Sequence, residues 1–558
     1  MTKLRFGVLC RGLIFPRWQA DCLREVLATG LADPALLILE GSSVRKTRVD
    51  RKLGQRDRLL FNLYNTLIVK TRAKSCRPVD LSATLAAVPR MVCDPEVRGP
   101  THRFDHADVA EIRRHNLDFI IRFGFDILAG EILSAARYGV WSYHHGDEQR
   151  FRGAPPGLWE LFYDEPSTGV LLQRLTDRLD NGSVLFKGYF PTALTYRGNI
   201  DRILLGSADW IALCIKRICA GDRGFLFAPG QRSEAPVLRA PTNRTFLRYG
   251  IRQIGRIGKT MARRVCYADA WNVGYAPCSR RQVIKGMSTA GVTWAAPRPG
   301  ARYLADPMVV QEADRTKIYA EEYRYFGHGR LVSLDWPDGF SWDRTGLECD
   351  LGRHASYPFV FRHRGELWMV PESCALGKAI LLKKGPGNRW EHVCDLIDDA
   401  ALADPTLLWH RGRWWLFAAD GRGTPHTRLL IFHAPTLTGT WAPHRLNPVK
   451  VDVTGARPAG ALFEVDGILY RPAQDCAAGY GCAITIHRVI ELSGDAFSEQ
   501  EVARVEPARD SPYPDGVHTL TVADHGLFLD GNKKVFRPDL LPPRAGRWLR
   551  ERGQARAA

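Results

Sequence analysis

A chain of 558 residues is too long for a single hydrophobic core and predicts two or three domains. Hydrophobic residues make up 45% and charged residues 25%, which is typical of soluble globular proteins and excludes a collagen-like or disordered chain. No apolar run is as long as a membrane span, and the first residues lack a signal-peptide pattern. The 13 cysteines are scattered without a CxxC pair, so a reduced, cytoplasmic chain is expected.

The formal net charge is +18, and much of it is clustered. The clusters are Arg45–Arg58, Lys70–Arg77, Arg244–Arg264 and Arg544–Arg556. Such an excess of positive charge attracts anions, including nucleic acid, acidic lipid and phosphorylated sugars. An ordinary solvated surface is the alternative interpretation. Because no compact nucleic-acid-binding motif occurs, nucleic acid is not an expected partner.

Residues 1–190 alternate apolar strands with amphipathic helical patterns. The strands LRFGVLC and ALLILEG flank the helical pattern QADCLREVLAT, and the helical pattern HADVAEIRRHN precedes the strand LDFIIRFG. This alternation predicts an α/β domain with a mostly parallel, Rossmann-like sheet and helices on both faces. The phrase GVLCRG lacks the G-x-G-x-x-G fingerprint, so a dinucleotide is not an expected ligand.

Residues 191–265 are helical in pattern and basic, and we predict a linker region there. IDRILLGSADWIALCIKRIC has helical spacing, and RYGIRQIGRIGKTMARRV is amphipathic and basic, which is typical of a linker helix or an anion-contacting surface. The basic tail, 546–558, is expected to be disordered.

From residue 266 to 545 short strands and glycine turns replace the helical periodicity. Five apolar hairpins recur with starts 47 to 59 residues apart, namely DRTKIYAEEY, HRGELWMVPE, HRGRWWLFAA, EVDGILYRPA and ADHGLFLDG. A period near fifty with one hairpin per unit indicates propeller blades. The sequence therefore predicts an all-β, five-bladed propeller with four strands per blade.

A short polar signature opens the apolar strand that precedes each hairpin. The five polar residues are Asp306, Tyr357, Asp404, Arg457 and His518. The innermost strand of a blade starts at one rim of the central channel, so the five side chains are predicted to form a ring at the propeller axis. Turn chemistry is the alternative, because Asp-Pro and Arg-Pro also form good turns.

The stretch from Asn116 to Leu185 resembles the formyltransferase family, which includes methionyl-tRNA formyltransferase and the sugar N-formyltransferases. The resemblance is carried, in order, by LDFIIRFG, WSYHHGD, RGAPP and LDNG. It implies 10-formyltetrahydrofolate as the formyl donor, His144 and Asp180 as the catalytic pair, and Arg152 and Gly153 as the turn after the catalytic strand. It also implies a loop that binds the folate, formed by Phe123, Gly124, Phe125, Ile127 and Leu128.

The residues suit this chemistry, because formyl transfer to an amine passes through a tetrahedral carbon that bears an oxyanion. A histidine at a strand end can take the amine proton, and an aspartate from a separate turn can orient the imidazole. The family places Asn where this chain has Ser142, and loss of one oxyanion donor costs roughly 10²–10³ in rate. His145 is a candidate substitute donor. The alternative is an ordinary His144 and a turn residue at Asp180. The adjacent histidines point to opposite faces of a strand, so no metal is expected.

The repeat region resembles the five-bladed propellers of the furanosidase superfamily and the propeller of plant glucosamine inositolphosphorylceramide transferases. The motifs are SYPFVF, MVPES, ADPTLLWHRGRWWLF, RPAGALF and YRPAQDC. Asp306, Glu372 and Asp404 are candidate carboxyl groups for glycoside hydrolysis. A polar and partly basic axis suits binding an anionic sugar as well as cleaving one, and binding is favoured because the resemblance to the plant transferases implies that their transferase chemistry lies in another domain. The residues that make the axis polar and partly basic are Arg457, Arg471, Gln474 and Asp475.

We therefore expect a formyltransferase that acts on an amine, with the propeller selecting the glycan. The expected acceptor is an amino sugar of a nucleotide- or lipid-linked glycan, as in polysaccharide biosynthesis. Three alternatives remain open. They are a methionyl-tRNA formyltransferase-like enzyme, a glycoside hydrolase acting in the propeller, and a non-catalytic carbohydrate-binding protein with a degenerate formyltransferase fold, which Ser142 permits.

Overall fold

The computed structural model describes residues 3–41, 56–177, 182–230, 233–296, 302–312, 315–325, 327–336, 340, 345–423, 426–537 and 539. The chain divides into two units, Met1–Ile257 and Gly258–Ala558. Most of the region predicted as a separate linker, 191–265, therefore belongs to the first unit. The predicted tail, 546–558, lies outside the described residues.

A seven-stranded sheet is the centre of the described part of the first unit. In chain order its strands are β1 (Leu4–Cys10), β2 (Ala32–Glu40), β3 (Arg90–Cys93), β4 (Phe119–Arg122), β5 (Val140–His144), β6 (Ser167–Arg174) and β7 (Ser183–Pro191). The spatial order is β7-β6-β5-β4-β1-β2-β3. The first five strands along the chain pair in parallel, and β6 and β7 are antiparallel. The predicted mostly parallel sheet is confirmed.

Helices cover both faces of this sheet, which explains why the parallel strands β1, β2 and β4 are largely apolar. They are α1 (Arg17–Ala28), α2 (Leu59–Tyr64), α3 (His106–Arg114), α4 (Trp159–Phe162), α5 (Tyr196–Gly206), α6 (Trp210–Cys219) and α7 (Asn243–Cys266). Val109 and Ile112 of α3 pack with Ile120 of β4 on one face. On the other face Tyr143 of β5 donates a hydrogen bond to the Ser207 carbonyl just before α6.

The described part of the second unit contains five largely antiparallel sheets of four or five strands, which confirms the five-bladed propeller. Blade 1 contains Arg302–Gln311, Thr316–Arg324, Gly329–Trp336 and Gly346–Cys349. Blade 2 contains Ser356–His363, Glu366–Glu372, Ala379–Lys384 and Trp390–Ile397. Blade 3 contains Leu402–His410, Arg413–Asp420, Arg428–Ala434, Ala442–Pro443 and Lys450–Val451.

The last two blades join the two ends of this unit. Blade 4 contains Met287–Ser288, Phe463–Val465, Ile468–Asp475, Ala483–Leu492 and Phe497–Glu506. Blade 5 contains Tyr267–Ala276, Thr293–Trp294, Leu520–Ala523 and Gly526–Phe536. Tyr267–Ala276 pairs with Gly526–Phe536 from Tyr267 opposite Phe536 to Ala276 opposite Leu527. Strands from both ends of the unit therefore form one blade.

Candidate functional site

A cavity of about 500 Å³ lies at the carboxyl ends of β4 and β5. Arg122, the last residue of β4, and His144, the last residue of β5, are both in its wall. Segments 126–129, 153–154 and 175–177 complete most of the wall. Ligands of open α/β sheets bind at this edge, so the sheet topology positions His144 where a substrate would be bound.

The predicted partner of His144 is not in the described part of the chain. Asp180 lies in the segment 178–181, outside the described residues, so the His144–Asp180 pair stays a prediction. The residues on either side of that segment, Asp177 and Gly182, line the same cavity as His144. The Asp177 carboxylate accepts a hydrogen bond of 3.0 Å from the Gly130 amide, which fixes that side of the cavity wall.

The predicted folate loop lines the cavity with only part of its length. Ile127 and Leu128 are in the wall, but Phe123, Gly124 and Phe125 are not among the described residues that line it. Phe125 has a left-handed backbone with φ of 59° and turns into the core, where its ring lies 5.1 Å from Phe104. Gly124 approaches the Cys10 backbone so closely that a Cβ atom would lie 3.0 Å from it. These placements correct the sequence prediction for three of the five residues.

Phe123 is directed away from the cavity into an aromatic cluster. Its ring centroid lies 5.4 Å from that of Trp18 and 6.4 Å from that of Phe15. Phe123 therefore packs with aromatic residues and also lines a second, smaller cavity with Phe15 and Gln19.

Ser142 does not face the cavity directly, which corrects a second expectation. Its side chain is buried, with 1% of the residue exposed, and its Oγ accepts a hydrogen bond of 2.9 Å from Nε of Arg122. The same guanidinium donates to the carbonyl oxygens of Phe125 and Asp126 through Nη1. Ser142 therefore positions Arg122, and Arg122 is the residue that reaches the cavity. The sequence feature that could have identified Arg122 is a charged residue at the end of a buried strand.

His145 is not available as a donor to the cavity. His145 follows β5 and lies on the face opposite His144, where its ring stacks on Tyr143 at 5.5 Å and meets Trp18 edge-on at 5.2 Å. Burial, followed by the charge of His144, lowers the pKa of His145 to about 3. The ring is therefore neutral at pH 7 and part of an aromatic core.

The turn after β5 requires its glycine. Gly153 lines the cavity with φ of 95°, and a Cβ atom there would lie 2.1 Å from the Leu238 carbonyl oxygen. Arg152 and Gly153 pair in parallel with Val237 and Leu238. The Arg152 guanidinium also donates to the carbonyls of Ser233 and Ala235 at 3.3 and 3.2 Å. This turn therefore holds segment 233–238 against the cavity.

In the propeller, three of the five predicted ring residues share an unusual backbone. Asp306, Tyr357 and Asp404 have φ of 55°, 44° and 52°, and the strand register shifts at each of them. Left-handed backbone costs roughly 1–3 kcal/mol at a non-glycine residue and persists where the surroundings enforce it. Here the backbone amides of the three residues donate to the carboxylates of Asp530, Asp306 and Glu372, each at 3.1 Å. These hydrogen bonds show that the three residues at the strand starts do more than form turns.

The side chains of the ring converge at the propeller axis and pair with one another. Arg457 binds Asp404 through Nε and Nη2, at 2.5 and 2.9 Å, and its Nη2 lies 3.3 Å from Oε2 of Glu372. Gln474 donates to Asp404 at 2.6 Å. On the other side, His518 lies between Asp306 and Asp530, at 3.2 and 2.8 Å.

The pKa values of two buried carboxyl groups at the axis are shifted in opposite directions. Burial lowers the pKa of His518, but Asp530 and Asp306 outweigh it and raise that pKa to about 10, so the ring is protonated at pH 7. Burial raises the pKa of Asp306, but the His518 charge outweighs it and the net shift is downward. Burial, and then the charge of Asp404, raises the pKa of Glu372 well above its ordinary value. Asp306, His518 and Asp530 are close enough to share a cation, and the imidazole between the two carboxylates offsets one of their two negative charges.

Two residues at this axis were missed by the sequence interpretation. Glu321 is buried, and burial followed by the charges of Asp306 and Glu372 raises its pKa well above the ordinary value. It pairs with Ala305 just as Glu372 pairs with Ser356, so alignment of the repeats carried the signal. The second missed residue is Tyr480, whose exposed fraction is 43%.

The Tyr480 ring lies near the charged and aromatic groups of the axis. The Arg457 guanidinium is 5.0 Å from its centroid, and the His518 ring is also 5.0 Å away. The glycine-rich segment around Tyr480 carried no signal that it reaches the axis.

Arg471 and Asp475 do not join the ring, which corrects their predicted place. Side chains alternate along Ile468–Asp475, so Gln474 faces Asp404 while Arg471 and Asp475 face the other side. Arg471 is fully buried against Glu499, with Nε 2.8 Å from Oε2, and Asp475 pairs with Arg504. These two charges form ion pairs inside blade 4.

Known proteins resemble the two regions separately. The methionyl-tRNA formyltransferase of Gloeothece citriformis (strain PCC 7424) is 29% identical over 129 residues, 23% of this chain and 38% of the relative. The N-terminal region is formyltransferase-like. Residues 287–511 match the family model "Glucosamine inositolphosphorylceramide transferase 1, N-terminal". The glucosamine inositolphosphorylceramide transferase 1 of Arabidopsis thaliana is 32% identical over 212 residues, 36% of this chain and 27% of the relative.

The chain thus spans less than half the length of these two relatives. Among solved structures, Zg3597, a family 117 glycoside hydrolase of Zobellia galactanivorans, is 14% identical with a TM-score of 0.31, and the match covers 46% of this chain and 80% of that chain. A likeness at that TM-score carries no conclusion about this chain. The formyltransferase-like unit and the propeller are joined in one polypeptide.

Proposed function

We propose that the formyltransferase-like unit transfers a formyl group from 10-formyltetrahydrofolate to an amine. The proposed acceptor is an amino sugar on a nucleotide- or lipid-linked glycan, bound by the propeller. The observation that carries the proposal is the cavity at the ends of β4 and β5 with His144 and Arg122 in its wall. The methionyl-tRNA formyltransferase relative supports formyl transfer, and the glucosamine inositolphosphorylceramide transferase relative supports a sugar-containing acceptor.

The residues of the cavity fit a reduced folate. Its volume of about 500 Å³ is in the range of small-molecule sites. Ile127, Leu128 and Val237 offer apolar contacts to a flat ring system, and Gln173 and Asp177 offer polar ones. A bound 10-formyltetrahydrofolate supplies an electrophilic formyl carbon at this place.

In this proposal His144 would take the proton that the amine loses as its nitrogen forms the new bond to the formyl carbon. The bond between that carbon and the folate nitrogen would break, and the folate nitrogen would leave with a proton as tetrahydrofolate. A neutral imidazole at the end of β5 can accept that proton from the amine. Arg122 presents positive charge to the oxygen on which negative charge develops. It takes the role that the family gives to the Asn at the position of Ser142. Hydrogen bonds from a charged donor are about twice as strong as neutral ones, so Arg122 offsets the loss of the amide.

The propeller axis is proposed to bind the sugar rather than to cleave it. Tyr480 is a partly exposed aromatic ring beside a buried guanidinium, a combination that suits a sugar ring with an anionic substituent. Arg457, Asp404 and Gln474 satisfy one another, so they form a rigid floor beneath Tyr480.

Glycoside hydrolysis is the second candidate function of the axis, and one observation favours it. A hydrolase needs one ionised and one protonated carboxyl group. Asp306 has a lowered pKa, whereas Glu321 and Glu372 have raised ones. Release of a chromogenic aglycone from aryl glycosides by the wild type, and its loss in Glu321→Gln or Glu372→Gln, would select this function over binding.

The test of the main proposal uses the full chain and 10-formyltetrahydrofolate with a panel of acceptors. The panel contains a nucleotide-linked amino sugar, a glucosamine-bearing lipid and methionyl-tRNA. We expect folate binding by calorimetry and formyl transfer to an amino sugar but not to the tRNA. His144→Ala should abolish transfer and keep folate binding, whereas the exposed His106→Ala should change neither. A wild-type chain that binds no reduced folate would contradict the proposal and favour a carbohydrate-binding protein.

A further inference from the structure

Helix α7 exposes an apolar stripe. Leu247, Ile251 and Ile254 are 59%, 73% and 74% exposed, and the two isoleucines are the most exposed large hydrophobic residues in the described part of the chain. Their spacing of four and three residues places them on one face of the helix. The opposite side of the helix is anchored, because Tyr249 is buried and Gln253 donates to the Leu194 carbonyl.

A second helical stretch, 59–72, lies beside the start of α7 and also exposes aliphatic residues. The Leu60 amide donates to the Asn243 side chain at 3.0 Å, and the rings of Phe61 and Tyr64 lie 5.7 and 5.3 Å from that of Phe246. The aromatic side chains therefore join the two helices. The exposed aliphatic residues of the stretch are Leu59, Leu60, Leu63 and Leu67.

The charged side chains of α7 all have the same sign. Between Asn243 and Cys266 the sequence contains no Asp or Glu. Its basic residues are Arg244, Arg248, Arg252, Arg256, Lys259, Arg263 and Arg264. Arg252 and Arg256 lie 2.9 and 3.9 Å from the Asp164 carboxylate, while Arg244 and Arg248 are exposed and have no carboxylate partner among the described residues.

We propose that this surface docks on an anionic lipid membrane, with α7 lying in the plane of the interface. We name it the basic apolar surface, formed by α7 up to Ile257 and by 59–72. Amphipathic helices with a cationic polar face bury their apolar side about 5–10 Å into the headgroup boundary, and anionic lipid attracts the cations. No described helix is long and apolar enough to cross a membrane, so α7 lies on the bilayer rather than through it.

Charge complementarity selects lipid over the other occupants. A second copy of the chain would bring the same unpaired cations, Arg244 and Arg248, together without an acidic residue from α7 to balance them. A nucleic acid would match the arginines but leave Ile251 and Ile254 in water. An anionic bilayer accommodates both the cations and the aliphatic side chains. The inference does not depend on the proposed formyl transfer.

The test is flotation of the full chain with vesicles of phosphatidylcholine alone or of phosphatidylcholine with one quarter phosphatidylglycerol. We expect the protein to float only with the mixed vesicles and to detach as salt rises. Arg244→Gln with Arg248→Gln should weaken partition by about 30-fold, since each basic residue near an anionic surface contributes about 1 kcal/mol. Ile251→Asn with Ile254→Asn should weaken it by at least about 10-fold through lost apolar burial.

Matched controls lie in the propeller. Arg364→Gln with Arg488→Gln removes the same charge, and Leu347→Asn with Ile490→Asn removes two exposed aliphatic residues. Both should float like the wild type, and circular dichroism should show every variant folded. The proposal is overturned if the wild type does not float with mixed vesicles, or if the control pairs lose binding equally. A dimer that Ile251→Asn with Ile254→Asn dissociates, without vesicle binding, would instead assign the surface to a second copy.

Discussion

The cavity of the first unit and the axis of the propeller are both polar, but their polar groups are used differently. In the cavity, Arg122 and His144 line a volume of about 500 Å³. At the axis, Arg457 is bound to Asp404 and Glu372, and His518 to Asp306 and Asp530. The difference teaches that a polar residue in a predicted site indicates chemistry only once its partners are known. The cavity is suited to act on a ligand, and the axis is first of all a self-satisfied framework.

The sharpest test of this difference is His144→Ala. If the cavity is the reaction centre, the substitution should lower kcat for formyl transfer by roughly 10²–10⁴-fold, because the amine loses its proton acceptor. The urea midpoint of the protein should hardly change, since His144 is only half-buried. Single-turnover transfer and urea unfolding, measured on the same preparation, check both statements. A variant that loses stability but retains activity would reverse the assignment.

Arg457→Ala should have the opposite effect, lowering the free energy of unfolding without affecting the cavity of the first unit. It leaves Asp404 and Glu372 buried without their cation, and removal of one partner from a buried pair costs about 3–5 kcal/mol. Urea unfolding followed by tryptophan fluorescence should show this loss, while folate binding in the first unit stays unchanged. Arg488→Ala, at an exposed position of blade 4, is the control and should change the free energy of unfolding by less than about 0.5 kcal/mol. Equal effects of the two variants would disprove a framework role.

The pH dependence of stability should identify His518. Its pKa is raised from 6.5 to about 10 in the folded protein, so its contribution is fully present below pH 6.5 and is lost as the pH rises towards 10. The slope from this group is at most about 1.4 kcal/mol per pH unit. His518→Gln should flatten the decline of the unfolding free energy between pH 7 and 10. An unchanged slope in the variant would show that His518 is not protonated in the folded state.

The smallest expected effect concerns Ser142. Ser142→Ala removes the acceptor that holds Nε of Arg122, so kcat should fall by about 10-fold with little change in the KM for the folate. Ser142→Asn should retain activity, because its amide oxygen can accept the same hydrogen bond. A lower activity in Ser142→Asn would show that the site is built around the smaller side chain for a different acceptor. Steady-state kinetics with separate kcat and KM values distinguish these outcomes.

The sequence predicted where the cavity lies, but it predicted only some of the residues that line the cavity. The strand LDFIIRFG and the following loop were recognised, and Ile127 and Leu128 do line the cavity. Phe123 and Phe125 are equally apolar in sequence, but one packs on Trp18 and the other on Phe104. Apolar residues of a loop can satisfy either a ligand or the core, and the backbone turn at Phe125 decides between them.

The amino-acid sequence by itself determined the two architectures, because hydrophobic alternation and a repeat near fifty residues are local patterns. It also determined that each of the five propeller repeats contains one polar residue at the start of an apolar segment. Only the tertiary structure decided which charges pair, since Arg457 meets Asp404 and Glu372 from other blades. It likewise placed Arg471 against Glu499. The amphipathic pattern of α7 was readable in sequence, but only the packing of the chain shows that its aliphatic face stays uncovered, because burial depends on neighbours distant in sequence.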